Sequence, residues 1–128
     1  MTTTLSEDTL FARLGGSPAI DAAVDRFYPR VLADPRIAHY FDGIDMETQI
    51  RHQKRFLTFA FGGAPGYDGR SLRAAHQGLV DKLGLGDEHF DAVVENLAAV
   101  LGELGVSGEL IGEVALVAES VRDEVLCR

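Results

Sequence analysis

Four histidines, His39, His52, His76 and His89, and one stripe of amides carry most of the chemistry open to this chain. Gln49, His52, Gln53, Phe56 and Ala60 recur at helical spacing between Asp45 and Gly62, so they share one side of a helix. An inner helix face is normally apolar, because an unpaired buried polar group costs about 1–3 kcal/mol. Three hydrogen-bonding side chains next to a large aromatic therefore need water or a bound group in front of them. His39 and His89 read as surface or locally packed residues. His52 and His76 sit on separate helices joined by the glycine-rich stretch 62–69, so those helices can face each other across a gap with one imidazole on each side. A flat cofactor fits such a gap, and imidazole is a good ligand for iron. Haem also needs an apolar wall, which Phe41, Phe56, Phe59, Phe61 and Leu79 could supply. These residues alone leave an ordinary helical core as the alternative.

Other chemistry is poorly represented. Gly84-Leu85-Gly86 begins a dinucleotide-type glycine pattern, but position 89 is His and no strand precedes it. The glycine-rich stretch 62–69 lacks the Gly-Lys-Ser/Thr that grips phosphate, and Pro18 spoils a nucleophile turn at 15–19. Neither His-Glu-x-x-His nor Glu-x-x-His occurs. Cys127 is the single cysteine, so it can build neither an internal disulfide nor a thiolate metal site; it reads as an exposed thiol that could link a dimer when oxidised. Arg51, Lys54 and Arg55 cluster on the amide-bearing helix, either as a solvated face or as counter-charge to a bound anion.

The elements that must position these groups are helical. Ser6 is a cap candidate for a helix over 7–14, ended by Gly15-Gly16, after a start at 1–5 that is expected to be flexible. Ser17-Pro18 reads as cap and first turn of the next helix, whose positions Ile20, Ala23, Val24, Phe27, Tyr28, Val31 and Leu32 follow helical spacing, with a kink expected at Pro29. Asp34-Pro35 repeats the signal for a short helix to Tyr40. Then come the helix 45–61 capped by Asp45, a helix over 71–83 carrying His76, one capped by Asp87 and running to 104, and a last one capped by Ser107 and running to 126. No period-two run of β-branched residues appears. The class is all-α, in a single domain over 1–128 with no repeat and no linker.

A net charge of −8 disfavours nucleic acid and anionic membrane as partners. No secretory-type start and no run of about 18 apolar residues is visible, which favours the cytoplasm. Monomer is the expected state.

Set in order, Leu14-Gly15-Gly16, Phe27-Tyr28, Arg30-Val31-Leu32-Ala33-Asp34, Phe41, Gln49, His52-Gln53-Lys54, Ala60-Phe61-Gly62-Gly63, Tyr67 and Ala75-His76 resemble the truncated haemoglobins of group I, most of all the cyanobacterial type. The likeness runs from about Leu10 to Leu126. It implies a two-over-two helical sandwich around haem b. It implies His76 as the proximal iron ligand, and Tyr28, Gln49 and Gln53 as distal donors to bound oxygen. It also implies Phe41 packed on the haem, with Phe56, Tyr67 and Leu79 in the haem-binding set. Lys54 is the candidate partner for a haem propionate. Some cyanobacterial-type members carry a histidine matching His52 that binds iron when no gas is present, and His52 is expected to do so here; otherwise it points to the haem edge or solvent. Such members can also bond haem covalently through a histidine of the last helix. The segment 118–123 has none, so non-covalent haem is expected.

The resemblance implies oxygen, nitric oxide and carbon monoxide as ligands, and nitric oxide dioxygenation to nitrate as the candidate activity. No flavin or nicotinamide domain is visible, so an unidentified reductase or electron donor is expected. Non-enzymatic oxygen binding or sensing, electron transfer through a bis-histidine haem, and a haem-free helical module are the competing readings.

Overall fold

The computed structural model describes residues 9–62 and 69–127, with the backbone alone at 69–72 and 75. The Ser6 cap, the helix start at 7, the start at 1–5 and Tyr67 lie outside the described residues. The elements are α1 (Leu10–Leu14), α2 (Gly16–Leu32), a 3-10 turn (Ala38–Phe41), α3 (Met46–Ala60), α4 (Gly69–Leu83), α5 (Asp87–Glu103), α6 (Gly108–Ser120) and α7 (Arg122–Val125). No strand occurs among the described residues, and none of their helices is long and apolar enough to cross a membrane.

Two helix pairs, α2 with α3 and α5 with α6, are joined where α2 crosses α5. This is the expected two-over-two sandwich. Its centre is the apolar side of α2, where Ile20, Val24, Phe27, Tyr28 and Val31 are buried, against Ala92, Leu97, Val100 and Leu101 of α5. Burying each Val or Leu side chain is worth about 1.5–3 kcal/mol, so this seam dominates the core. Helix α1 lies against α2 and α6, and α4 lies mainly against α7.

Two glycines set corners that place α3. Gly15 has φ 119°, and a Cβ there would lie 3.0 Å from the Ala19 Cβ, so α1 and α2 can meet only at glycine. Gly62, φ 93°, ends α3 and would carry a Cβ 3.1 Å from the Thr9 Cγ2. The Phe11 N–H donates to the Phe61 carbonyl at 2.9 Å, tying the end of α3 to α1. At its start, Asp45 accepts from the Glu47 N–H and the Thr48 hydroxyl, as its capping role predicts.

Several expected boundaries move. Thr9 caps α1 by accepting from the Ala12 N–H at 3.1 Å. Gly15, not Ser17, precedes α2, and Pro18 sits in the first turn. The helix continues through Pro29, which is exposed, so its missing N–H leaves the Asp25 carbonyl on the solvent side. Asp34-Pro35 makes a turn because the Asp34 carboxylate accepts from the Arg36 N–H; the 3-10 turn follows. Asp87 is the first residue of α5 and Gly86 its cap. The last apolar run is broken at Val121 into α6 and α7. Cys127 is half-buried rather than exposed, its thiol directed at the Arg73 carbonyl at 3.3 Å.

Candidate functional site

A cavity of about 370 Å³ lies between α3, α4, α5 and α6. Helix α3 lines it with Gln49, His52, Gln53, Phe56 and Ala60, the five residues of the amide stripe. His76 and Leu79 face it from α4, Phe41 closes it from the 3-10 turn, and Val93, Val114 and Val117 make the far wall. The wall is thus mostly apolar, its polar side chains being the imidazoles, two amides and Tyr40, the usual make-up of a cofactor site. Phe61 also lines the cavity, but Phe59 does not.

Tyr28 stands behind this wall on α2, only 3% exposed. Gln49 Nε2 donates to its hydroxyl oxygen at 3.2 Å, and its ring meets Phe41 edge-on with centroids 5.7 Å apart. Burial pushes the phenol pKa up to about 12, against a smaller downward pull from the Gln49 hydrogen bond. The phenol is therefore protonated at neutral pH. Because Gln49 already supplies a hydrogen to the oxygen, Tyr28 retains its own O–H for a further acceptor.

The two imidazoles differ in setting. His76 is half-buried within the cavity wall, whereas His52 lines the cavity and is also exposed, which puts it at the rim. His39 is exposed and stacks on Tyr40 outside the cavity. Lys54 departs from expectation. It is absent from the wall, and its ammonium lies 3.2 Å from Asp25 and 3.6 Å from Asp21. One residue past Gln53, the helix has turned by about 100°, and α2 presents two carboxylates there. Lys54 is thus engaged between helices and not at the cavity wall.

His89 has more to do than surface packing. Its Nδ1 accepts from the Gly86 N–H at 2.9 Å, so it satisfies the start of α5 while lining the cavity. Tyr40 donates to the Leu83 carbonyl at 3.1 Å and so fixes the end of α4. The three-residue step from Gly86 to His89 was the available sequence signal, since a side chain three residues into a helix can reach back to its cap. Tyr40 had none, because its partner is a backbone carbonyl distant in sequence.

The donor set can be compared with what a metal would need. Among the described residues no group of three or more His, Cys, Asp or Glu converges. A naked ion held by protein alone would need three or four such ligands. Iron already held by a macrocycle needs only one or two imidazoles and an apolar slot, and His76, His52 and this cavity fit that demand.

A family model described as bacterial-like globin matches residues 9–126. The chain belongs to that family. The globin is 58% identical over 110 residues to the group 1 truncated hemoglobin of Synechocystis, covering 86% of this chain and 89% of that one. It is 48% identical over 120 residues to the group 1 truncated hemoglobin of Tetrahymena thermophila, covering 94% and 96%. The 2/2 hemoglobin of Synechococcus, solved in the cyanomet state with covalently attached heme, superposes with a TM-score of 0.88 at 50% identity, covering 94% of this chain and 99% of that one. This chain is accordingly a truncated, haem-binding globin, of a kind whose ligands are diatomic gases such as oxygen.

Proposed function

We propose that this globin holds haem b non-covalently, binds oxygen, nitric oxide and carbon monoxide in the ferrous state, and converts nitric oxide to nitrate. The balance is nitric oxide plus dioxygen plus one electron to nitrate, with the electron from a donor outside the chain. The observation that carries the reading is the pair of Tyr28 and Gln49, a buried protonated phenol oriented by an amide that itself lines the cavity.

Haem, when bound, supplies an iron that takes up gas and changes oxidation state. His76 is the residue assigned to hold that iron from α4. The O–H of Tyr28 and the amide N–H groups of Gln49 and Gln53 would serve as hydrogen-bond donors to oxygen held there, and an apolar surround strengthens such bonds. Phe41, Phe56 and Leu79 line the cavity and would hold the cofactor's apolar body and exclude water from it. From the last helices, Ala118 and Val121 line the cavity, and neither can bond covalently to a vinyl group, which supports non-covalent haem.

The test is a single turnover of the ferrous protein in air-saturated buffer with nitric oxide. Stoichiometric nitrate is expected. Tyr28→Phe should speed oxygen release about tenfold to a hundredfold, the range for a hydrogen bond to a charged group. Absence of nitrate in the wild type would reduce the function to reversible oxygen binding or sensing. Colour left on the protein after acid–butanone extraction would contradict non-covalent haem.

His52 favours a second reading. It lines the same cavity as His76. As a second axial ligand it would compete with gas, so that only the open fraction binds, and a bis-histidine haem suits electron transfer. A five-coordinate, high-spin ferrous spectrum would exclude this role. Fast self-exchange with unchanged coordination in both oxidation states would favour it over gas chemistry.

A further inference from the structure

Helix α4 carries His76, yet its main packing partner among the described elements is not the α2–α3 pair or α5. It is α7, a single turn from Arg122 to Val125. A four-residue helix has no stability of its own, since the first turn of any helix is costly to form. Something else must seat it.

Arg122 does so. Its Nε donates to Glu119 at 2.7 Å, its Nη1 to Asp87 at 2.9 Å, and its Nη2 to Asp91 at 2.6 Å and to the second Glu119 oxygen at 2.8 Å. The guanidinium also lies 4.5 Å over the Phe90 ring, and Phe90 lines the cavity. Only 16% of the Arg122 side chain is exposed, whereas its three acid partners are more than half exposed. Isolated surface pairs contribute little. Here one planar fork meets three carboxylates and an aromatic face, a geometry that only Arg can provide. The fork therefore pins α7 to the first turns of α5 and to the end of α6. Past α7, Leu126 is buried and the Cys127 thiol reaches the Arg73 carbonyl, three residues before His76.

We propose that Arg122 is a positioning residue for His76: it seats α7, and α7 sets where α4 presents its imidazole to the cavity. The inference rests on His76 being the iron ligand. It gives the C-terminal turn, whose Val125 already lines the cavity, a part in placing the iron ligand.

The test uses the haem-loaded full chain and the variants Arg122→Gln, Arg122→Lys, Asp91→Asn and Glu119→Gln. Amide hydrogen exchange reads local opening. In Arg122→Gln the α4 amides should exchange at least tenfold faster while those of α2 and α3 keep wild-type rates. The two acid variants should give smaller increases at the same amides, which keeps the proposal testable if Arg122→Gln folds poorly. The iron–histidine Raman band, recorded in a His52→Ala background so that His52 cannot compete for the iron, should shift or broaden in Arg122→Gln. Arg122→Lys, a charge without a fork, should behave like Gln rather than like wild type.

Exchange that rises equally in all helices would mean general destabilisation and overturn the proposal. So would an unchanged α4 with an unchanged Raman band. Absence of an iron–histidine band in the His52→Ala parent would instead sink the His76 assignment, a separate failure from either of these. Neither readout depends on nitric oxide turnover.

Discussion

Where α2 meets α5, polar side chains close on one another; beside α2 on the α3 wall, they open into the cavity. At the first junction the buried Asn96 donates to Asp34 at 2.9 Å and to the Ala92 carbonyl at 2.8 Å, and accepts from Arg30. Asp34 in turn takes Arg36, which reaches on to Glu95. At the second, Gln49 has Tyr28, while His52 and Gln53 turn to the cavity. Among the described residues no sealed side-chain nitrogen or oxygen lacks a partner. Both regions obey the same rule about buried polar groups. The knot obeys it within the protein, and the stripe obeys it by keeping its groups at a cavity surface. Changes in the knot should therefore cost stability and spare gas binding, and changes in the stripe should do the reverse.

The largest effect belongs to His76→Ala. It should abolish the wild-type ferrous spectrum and weaken haem retention severely, while far-UV circular dichroism of the haem-free chain stays helical. Normal haem uptake with an unchanged ferrous spectrum would move the iron ligand elsewhere and break the contrast at its root.

Asn96→Ala comes next. Loss of its bonds in a site 6% exposed should cost about 1–3 kcal/mol in urea unfolding, with oxygen release unchanged. The Arg36 hydrogen bonds first, and Asn96 second, hold the Asp34 carboxyl well below the usual carboxylate range. A lowered folded pKa stabilises above the unfolded value of about 4 and is lost as pH falls through the folded one. The penalty of Asn96→Ala should therefore be greatest at neutral pH and shrink in acid. A change in oxygen release as large as the change in stability would show that the knot and the stripe are one unit.

Tyr28 provides a probe at alkaline pH. Its folded pKa of about 12 exceeds the ordinary 10.0. A raised pKa contributes stability that is complete below the unfolded value and is lost as pH rises toward the folded one. Between pH 9 and 11 the wild type should lose about 1 kcal/mol more than Tyr28→Phe, as read by denaturant unfolding of the haem-free proteins. Equal losses would mean that the phenol is more solvated than its burial implies.

How much of this was legible in the sequence follows from which forces decided each feature. The stripe was legible because helical period alone puts Gln49, His52, Gln53, Phe56 and Ala60 on one side, and all five line the cavity. Lys54 was misplaced because its partners, Asp21 and Asp25, lie on another helix and no local pattern announces them. The break at Val121 was hidden because apolar spacing continues across it, whereas the stop coincides with the ties Arg122 makes to α5. Ser17 looked like a cap by residue type, but a left-handed corner at Gly15 had already begun the helix. His89 apart, the walls from α5 and α6 carry no chemical signature, since Val93, Val114 and Val117 look like any core valine until the fold brings them to one space.

Gln53→Leu isolates the smallest effect and the most discriminating one. In a core helix, replacing a half-buried amide would either break a bond costing about 1 kcal/mol or strand its partner. The Gln53 side chain makes no hydrogen bond to another described residue and lines the cavity. Leu adds apolar surface there and removes only the amide donor that the proposed function directs at a bound gas. Thermal unfolding of the haem-free chain should therefore shift by less than about 0.5 kcal/mol in either direction, the ordinary range for sites away from fixed contacts. Oxygen release from the haem-loaded protein should quicken severalfold at the same time. A stability loss of the Asn96→Ala size would mean that Gln53 is held as tightly as the knot. The two junctions would then differ in degree only, and the cavity-facing amides would have to be counted as part of what keeps α3 in place.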